Sequence, residues 1–232
     1  MTSLLALVLL AAPAGDTTLW QPVAPGIERL EITGQLLAFR FDLARYRAEV
    51  VVPGAEAPRT AAELRQQHGA VLAVNGGFFD ERGRPLGLRI SRGRSLKTLR
   101  PVDWGVLVLS EGEARIVHTR EYATHVAGKT VQDALQVGPR VLVAGQVPAL
   151  RPQRSRRTAV AVPADGRSLT VALADRSMSA ETMGQLLQGL GFRDALLLDG
   201  GPSTQLSFAL GQQRLEYPGA YPVPDGLVVR AR

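Results

Sequence analysis

The chain has 232 residues, 45% of them apolar, so it can bury a substantial core and does not read as disordered. It contains no cysteine, which excludes disulfides, thiol nucleophiles and cysteine–zinc sites. The net charge is +6, and apart from Lys97 and Lys129 every cationic side chain is arginine, the residue suited to bidentate contacts with phosphate or carboxylate.

At the N-terminus, residues 4–12 form a continuous apolar run too short to span a bilayer as a helix. The run ends in Ala12-Pro13-Ala14, with small residues at the two positions a signal peptidase reads. The expectation is a signal peptide over residues 1–14 and a mature domain over 15–232. That domain would be an exported bacterial protein, periplasmic or extracellular, with no transmembrane span after signal removal. Export without disulfides suits a bacterial envelope.

Strand patterns then outnumber helical ones. Residues 27–33, 36–41 and 48–52 read as an N-terminal β-meander. Thr60-Ala61-Ala62-Glu63 is a capping box that opens a helix ending near His68-Gly69. Strands are predicted at 71–74, 87–91, 104–109 and 114–118. The apolar stretch 132–143 is broken by Gly138-Pro139, so it should bend or lie at a sheet edge. Residues 158–162 and 169–174 should pair across the turn Pro163-Ala164-Asp165-Gly166. Ser179 caps a second helix, with Met183, Leu186, Leu187 and Leu190 on one face and Gly191 beyond its end. Residues 195–198 form the last buried strand before the second glycine turn. No linker or repeat interrupts the pattern. The predicted fold is α+β: a single domain with mixed β-sheet and two amphipathic helices packed on it.

Two glycine turns dominate the chain. Val71-Leu72-Ala73-Val74 runs into Asn75-Gly76-Gly77-Phe78-Phe79, and Ala195-Leu196-Leu197-Leu198 runs into Asp199-Gly200-Gly201-Pro202-Ser203-Thr204. Paired glycines at a strand end allow positive φ and let a ligand approach the main chain. Asn75 and Asp199 would then stand where two core strands leave the sheet, a common place for a cleft. The alternative for Asp199 is a side chain that merely caps its own turn.

Among the arginines, Arg151, Arg154, Arg156 and Arg157 form the one dense cluster. The first two read as a solvated loop. Arg156 and Arg157 open the strand-like run at 158–162, where an arginine can be held against the sheet and aimed into a cleft. Arg157 could equally form an ion pair with Asp175. No nucleic-acid partner is expected, because the arginines are dispersed and aromatic side chains for base stacking are few.

These residues carry a family resemblance. Asn75-Gly76-Gly77-Phe78-Phe79 resembles the signature of the phosphodiester glycosidase family. Leu86-Gly87-Leu88-Arg89-Ile90-Ser91 is similar to the family's Leu-Gly segment ending in Ser. Arg157-Thr158-Ala159-Val160, Ala172-Leu173-Ala174-Asp175 and Leu198-Asp199-Gly200-Gly201 follow in the family's order. The chain departs from the family pattern at Pro202, where a third glycine is usual, at Leu197, where Asn is frequent, and at Ala161, where Gly is preferred.

The resemblance implies hydrolysis of a sugar-1-phosphodiester, in envelope or extracellular polysaccharide metabolism. In that reaction the leaving phosphomonoester is already a stable anion, so it needs positive charge and N–H donors more than a general acid. Arg157 and the backbones of Gly76, Gly77, Gly200 and Gly201 could supply them. The sugar develops oxocarbenium character that a carboxylate stabilises or attacks. Asp199 is the first candidate and Asp175 the second. Asn75, Ser203 and Thr204 would hydrogen-bond sugar hydroxyls or phosphate oxygens. Asp199 and Asp175 could hold a divalent cation, but the sequence requires no cofactor. The alternative function is a non-catalytic glycan or phosphosugar binding module of the same fold.

Overall fold

Short apolar runs punctuated by glycine and polar turns fold almost entirely into strands. A computed structural model describes residues 20–53 and 58–232; the expected signal peptide lies outside them. The chain begins with β1 (Gln21–Ala24), β2 (Ile27–Ile32), β3 (Leu36–Asp42) and β4 (Tyr46–Val51). Helix α1 (Ala61–Gln67) leads to β5 (Leu72–Asn75), β6 (Arg89–Ser91), β7 (Arg94–Lys97), β8 (Gly105–Ser110) and β9 (Glu113–His118). After α2 (Tyr122–Val126) come β10 (Asp133–Val137), β11 (Arg140–Leu142), β12 (Arg154–Val162) and β13 (Ser168–Ser179). Helix α3 (Ala180–Gly189) precedes β14 (Asp194–Leu197), β15 (Leu206–Leu210), β16 (Gln213–Tyr217) and β17 (Gly226–Ala231).

The strands form three sheets, ordered β1-β2-β3-β13-β12-β14-β11, β7-β6-β10-β8-β9 and β16-β15-β5-β17-β4. The predicted mixed sheet is corrected: every pairing of these strands is antiparallel. Strand accounts for 48% of the structure and helix for 13%, so the fold is mainly β rather than evenly α+β. The meander is corrected as well. β2 and β3 pair as expected, but β3 continues to β13 while β4 crosses to β17 in another sheet. Both predicted helices form where their caps place them. Thr60 and Glu63 make the reciprocal capping box, and Ser179 Oγ accepts from the Thr182 N–H. No helix among the described residues is long and apolar enough to cross a membrane.

One core joins the sheets. Alternate residues of β3, β12 and β13 (Phe39, Val160, Val171) meet those of β8 and β10 (Leu107, Leu135) and of β5, β15 and β17 (Val74, Phe208, Val229). Stacking of Phe39 on Phe208, with centroids 4.4 Å apart, fastens two of the sheets. Such a pair adds about 0.5–1.5 kcal/mol beyond its buried area. The outer faces are closed separately. Met183 and Leu187 of α3 cover Ala159, Ala161 and Ala172, and Leu64 of α1 covers Val51, Ala73 and Val228. The chain therefore leaves β5 and β14 at neighbouring points of two sheets packed on one core.

Candidate active site

The two glycine turns lie against each other. The Asp199 N–H donates to the Gly76 carbonyl at 3.0 Å, and Asn75 Nδ2 donates to the Asp199 carbonyl at 2.7 Å. Asn75 is buried, and its Oδ1 accepts from Thr158 Oγ1 at 2.8 Å and from the Gln205 N–H at 3.2 Å. Its amide thus ties β5, β12 and the second turn together, with both ends engaged inside the protein.

Beneath the first turn is an ion pair that sequence reasoning missed. Arg89 of β6 and Asp225, which precedes β17, are 0% and 1% exposed, with Nε and Oδ2 2.7 Å apart. Arg89 Nη1 also donates to the carbonyls of Leu88 and Gln136, and Asp225 Oδ1 accepts from the Gly77 N–H at 2.9 Å. A Cβ on Gly76 would lie 1.9 Å from Asp225 Oδ1, and one on Gly77 would lie 2.3 Å from Arg89 Nη2. Neither glycine has positive φ. They are glycine because a buried ion pair packs against their backbone. Two signals pointed there: an arginine inside the apolar run Leu86-Gly87-Leu88-Arg89-Ile90, and an aspartate directly before the apolar run of β17. A charge in a fully buried strand requires a buried counter-charge.

The second turn is built differently. Gly201 takes φ +62, and Gly200 lies close under the Arg156 carbonyl. Asp199, only partly buried, accepts from the Gly200 N–H at 2.9 Å on Oδ1 and from Ser203 Oγ at 2.7 Å on Oδ2. Ser203 in turn lies 3.3 Å from the hydroxyl of exposed Tyr221, whose ring meets Phe79 edge-on. Burial pushes the Asp199 carboxyl above the ordinary aspartate value; the Ser203 and Gly200 hydrogen bonds oppose that rise, and the Asp225 charge adds to it. The Arg89 charge, paired with Asp225, lowers it in turn, and the partly desolvated carboxylate makes Asp199 a candidate reactive group. Thr204, also buried, leaves its hydroxyl without a partner beside this turn.

The arginine cluster divides by strand face. Arg156 forms the ion pair with Asp175, at 2.5 Å, that was weighed for Arg157. Arg157 instead donates to the carbonyls of Met178 and Gln153, and burial lowers its pKa. Its Nη1 comes within 3.7 Å of the position a Gly200 Cβ would occupy. It also lines a cleft of about 500 Å³ whose walls include Phe78, Trp104 and Leu150. Arg157 therefore faces the second turn and an apolar-walled cleft, while Asp175 is half-exposed and taken up by its neighbour.

The expected anion cradle of glycine amides does not form as a set. The N–H groups of Gly76, Gly77 and Gly200 are directed at the Asp225 carbonyl, the Asp225 carboxylate and the Asp199 carboxylate. Among the described residues, no three metal-ligating side chains cluster.

Residues 68–230 match the family model for phosphodiester glycosidase. The chain belongs to the phosphodiester glycosidase family. Solved structures share this fold. One is the catalytic domain of zebrafish N-acetylglucosamine-1-phosphodiester α-N-acetylglucosaminidase, auto-inhibited by its pro-peptide. It is 15% identical with a TM-score of 0.66, over 89% of this chain and 78% of that one. A protein from Synechocystis is 16% identical with a TM-score of 0.65, over 90% of this chain and 63% of that one. A Burkholderia pseudomallei protein described as exported is 13% identical with a TM-score of 0.61, over 88% of this chain and 74% of that one. No curated protein matches the chain in sequence. The chain's Asn75-Gly76-Gly77 and Asp199-Gly200-Gly201 strings are thus the two halves of one hydrogen-bonded unit.

Proposed function

We propose that this phosphodiester glycosidase family member hydrolyses a sugar-1-phosphodiester, with Asp199 at the anomeric carbon. The observation that carries the reading is Asp199 itself: partly buried, raised in pKa, and oriented by Gly200 and Ser203. A carboxylate held at fixed orientation can stabilise or capture the oxocarbenium character that develops as the glycosidic C–O bond breaks. Arg157, facing the same turn, supplies positive charge for the departing phosphate. Its partial desolvation strengthens that interaction.

Asp175 is assigned to holding Arg156 beside the turn rather than to the anomeric carbon. Ser203 orients Asp199, and Asn75 positions the turn through its backbone contacts. Tyr221 and Phe79 offer ring faces and edges to a sugar next to Asp199. The apolar N-terminal run supports export, and with it a polysaccharide of the envelope or exterior as the natural substrate.

The test is hydrolysis of UDP-N-acetylglucosamine and related sugar-1-phosphodiesters by wild type and Asp199→Asn. Free sugar released by wild type alone supports the assignment. Sugar phosphate released instead would place the cleavage on the other side of phosphorus and refute it. Binding without turnover would make the chain a phosphosugar-binding module.

A further inference from the structure

The outer face of the β16-β15-β5-β17-β4 sheet changes character along its length. At one end α1 covers it with apolar contacts. Beyond the C-terminal end of α1 the same face carries Arg47 and Glu49 of β4 and Arg230 of β17, aligned by the pairings Arg47↔Arg230 and Glu49↔Val228. Arg92 enters from the β6–β7 turn, held at φ +50, a left-handed conformation rare for a side-chain-bearing residue. With Gln67 and His68 these residues line a pocket of about 540 Å³.

Glu49 is the hub. Its side chain is 1% exposed, and Arg230 lies 2.7 Å, Arg47 3.3 Å and Arg92 3.5 Å from its oxygens. Asp133 stands behind, with one oxygen accepting the backbone N–H groups of Val50 and Arg92. Counting both carboxylates in full, the three guanidiniums still leave the pocket positive. Three buried polar atoms there make no hydrogen bond, Arg47 Nε, Glu49 Oε2 and Asp133 Oδ2, and the first two face Glu49 Oε1 and Arg92 Nε in the ion pairs. The surplus positive charge suits an anionic ligand. Arg92 and Arg230 expose 62% and 39% of their side chains, so two of the guanidiniums are open to such a ligand.

We propose that this pocket is a second binding site, for a phosphate monoester. The guanidiniums of Arg92, Arg230 and Arg47 would take the phosphate oxygens, with the buried Glu49 carboxylate holding the three together. The site is separate from Asp199. Gly226 is paired opposite Asn75 at one end of β17, and Arg230 lies four residues along it, a span of about 13 Å at strand rise.

Calorimetric titration of the full chain at low ionic strength tests this, with inorganic phosphate, glucose 6-phosphate, glucuronate and glucose as probes. Glucose 6-phosphate and phosphate should both bind, and glucuronate and glucose more weakly than either. Arg92→Ala and Arg230→Gln should each weaken glucose 6-phosphate by about tenfold or more. Melting curves of both variants establish that the fold is retained, and Asp199→Asn should bind as wild type does. Absence of binding, equal affinity for glucuronate, indifference to both arginine variants in folded protein, or loss of binding in Asp199→Asn would each overturn the proposal.

Discussion

The Asn75-Gly76-Gly77 and Asp199-Gly200-Gly201 turns look alike in sequence and differ in every physical respect that matters. In the first, glycine makes room for a buried ion pair, and the Asn75 amide is engaged at both ends. In the second, glycine supplies a left-handed bend, the acidic side chain stays partly open, and Arg157 lies close to Gly200. The first turn is a support, and the second carries the carboxylate proposed to react. A polar residue followed by two glycines therefore marks a tight backbone approach, and only the surroundings decide whether a ligand or the protein itself is being approached.

Substitutions can break this contrast, and the largest effect belongs to the second turn. Asp199→Asn should lower turnover of a sugar-1-phosphodiester by ~10²–10⁴-fold while circular dichroism and cooperative unfolding persist. An active Asp199→Asn would dissolve the distinction. Next, Asp225→Ala leaves Arg89 charged and unpaired in the interior, and should cost about 3–5 kcal/mol of stability in urea denaturation. A loss of activity with stability untouched would instead move Asp225 into the chemistry.

Smaller effects sharpen the picture. Ser203→Ala removes a hydrogen bond to a carboxylate, about 1.5–3 kcal/mol. Because that bond opposes the rise in the Asp199 pKa, its loss should also move the acid limb of the pH–rate profile to higher pH. An unmoved limb would remove Ser203 from the site. Finally, the folded state holds the Asp199 proton more tightly than the unfolded chain, whose ordinary aspartate value is 3.8. Ionising Asp199 therefore subtracts stability as pH rises from 3.8 through the raised value. The melting temperature of Asp199→Asn should gain on wild type across that window and lose the advantage below it. A constant difference across pH would show that Asp199 is not desolvated.

Much of this was legible from residues alone. Caps at Thr60 and Ser179 announced the two longer helices, and the β12–β13 hairpin followed from its turn. Glycine strings located the two turns, and an acidic residue on the second drew attention to Asp199. The escape of β4 to β17 was not legible, because β3 and β4 are similarly buried and a short turn between such strands ordinarily signals a hairpin. Helix α2 was missed because it is five residues long and has no side-chain cap. Asp225 was missed for a different reason. It sits between Pro224 and Gly226, a context that reads as a solvated turn, and its partner lies 136 positions away. Sequence periodicity reports neighbours on one element, whereas this contact depends on how two sheets meet.

That separation has a consequence for biosynthesis. Arg89 enters the growing polypeptide long before its counter-ion exists, so a nascent chain arrested anywhere short of position 225 carries a cation that it cannot bury without penalty. The β5 edge likewise waits for β17, which comes after Asp225. Partial products should therefore stay open and accessible to proteases, and the Asp199 turn should take its final shape only in polypeptides that extend through β17.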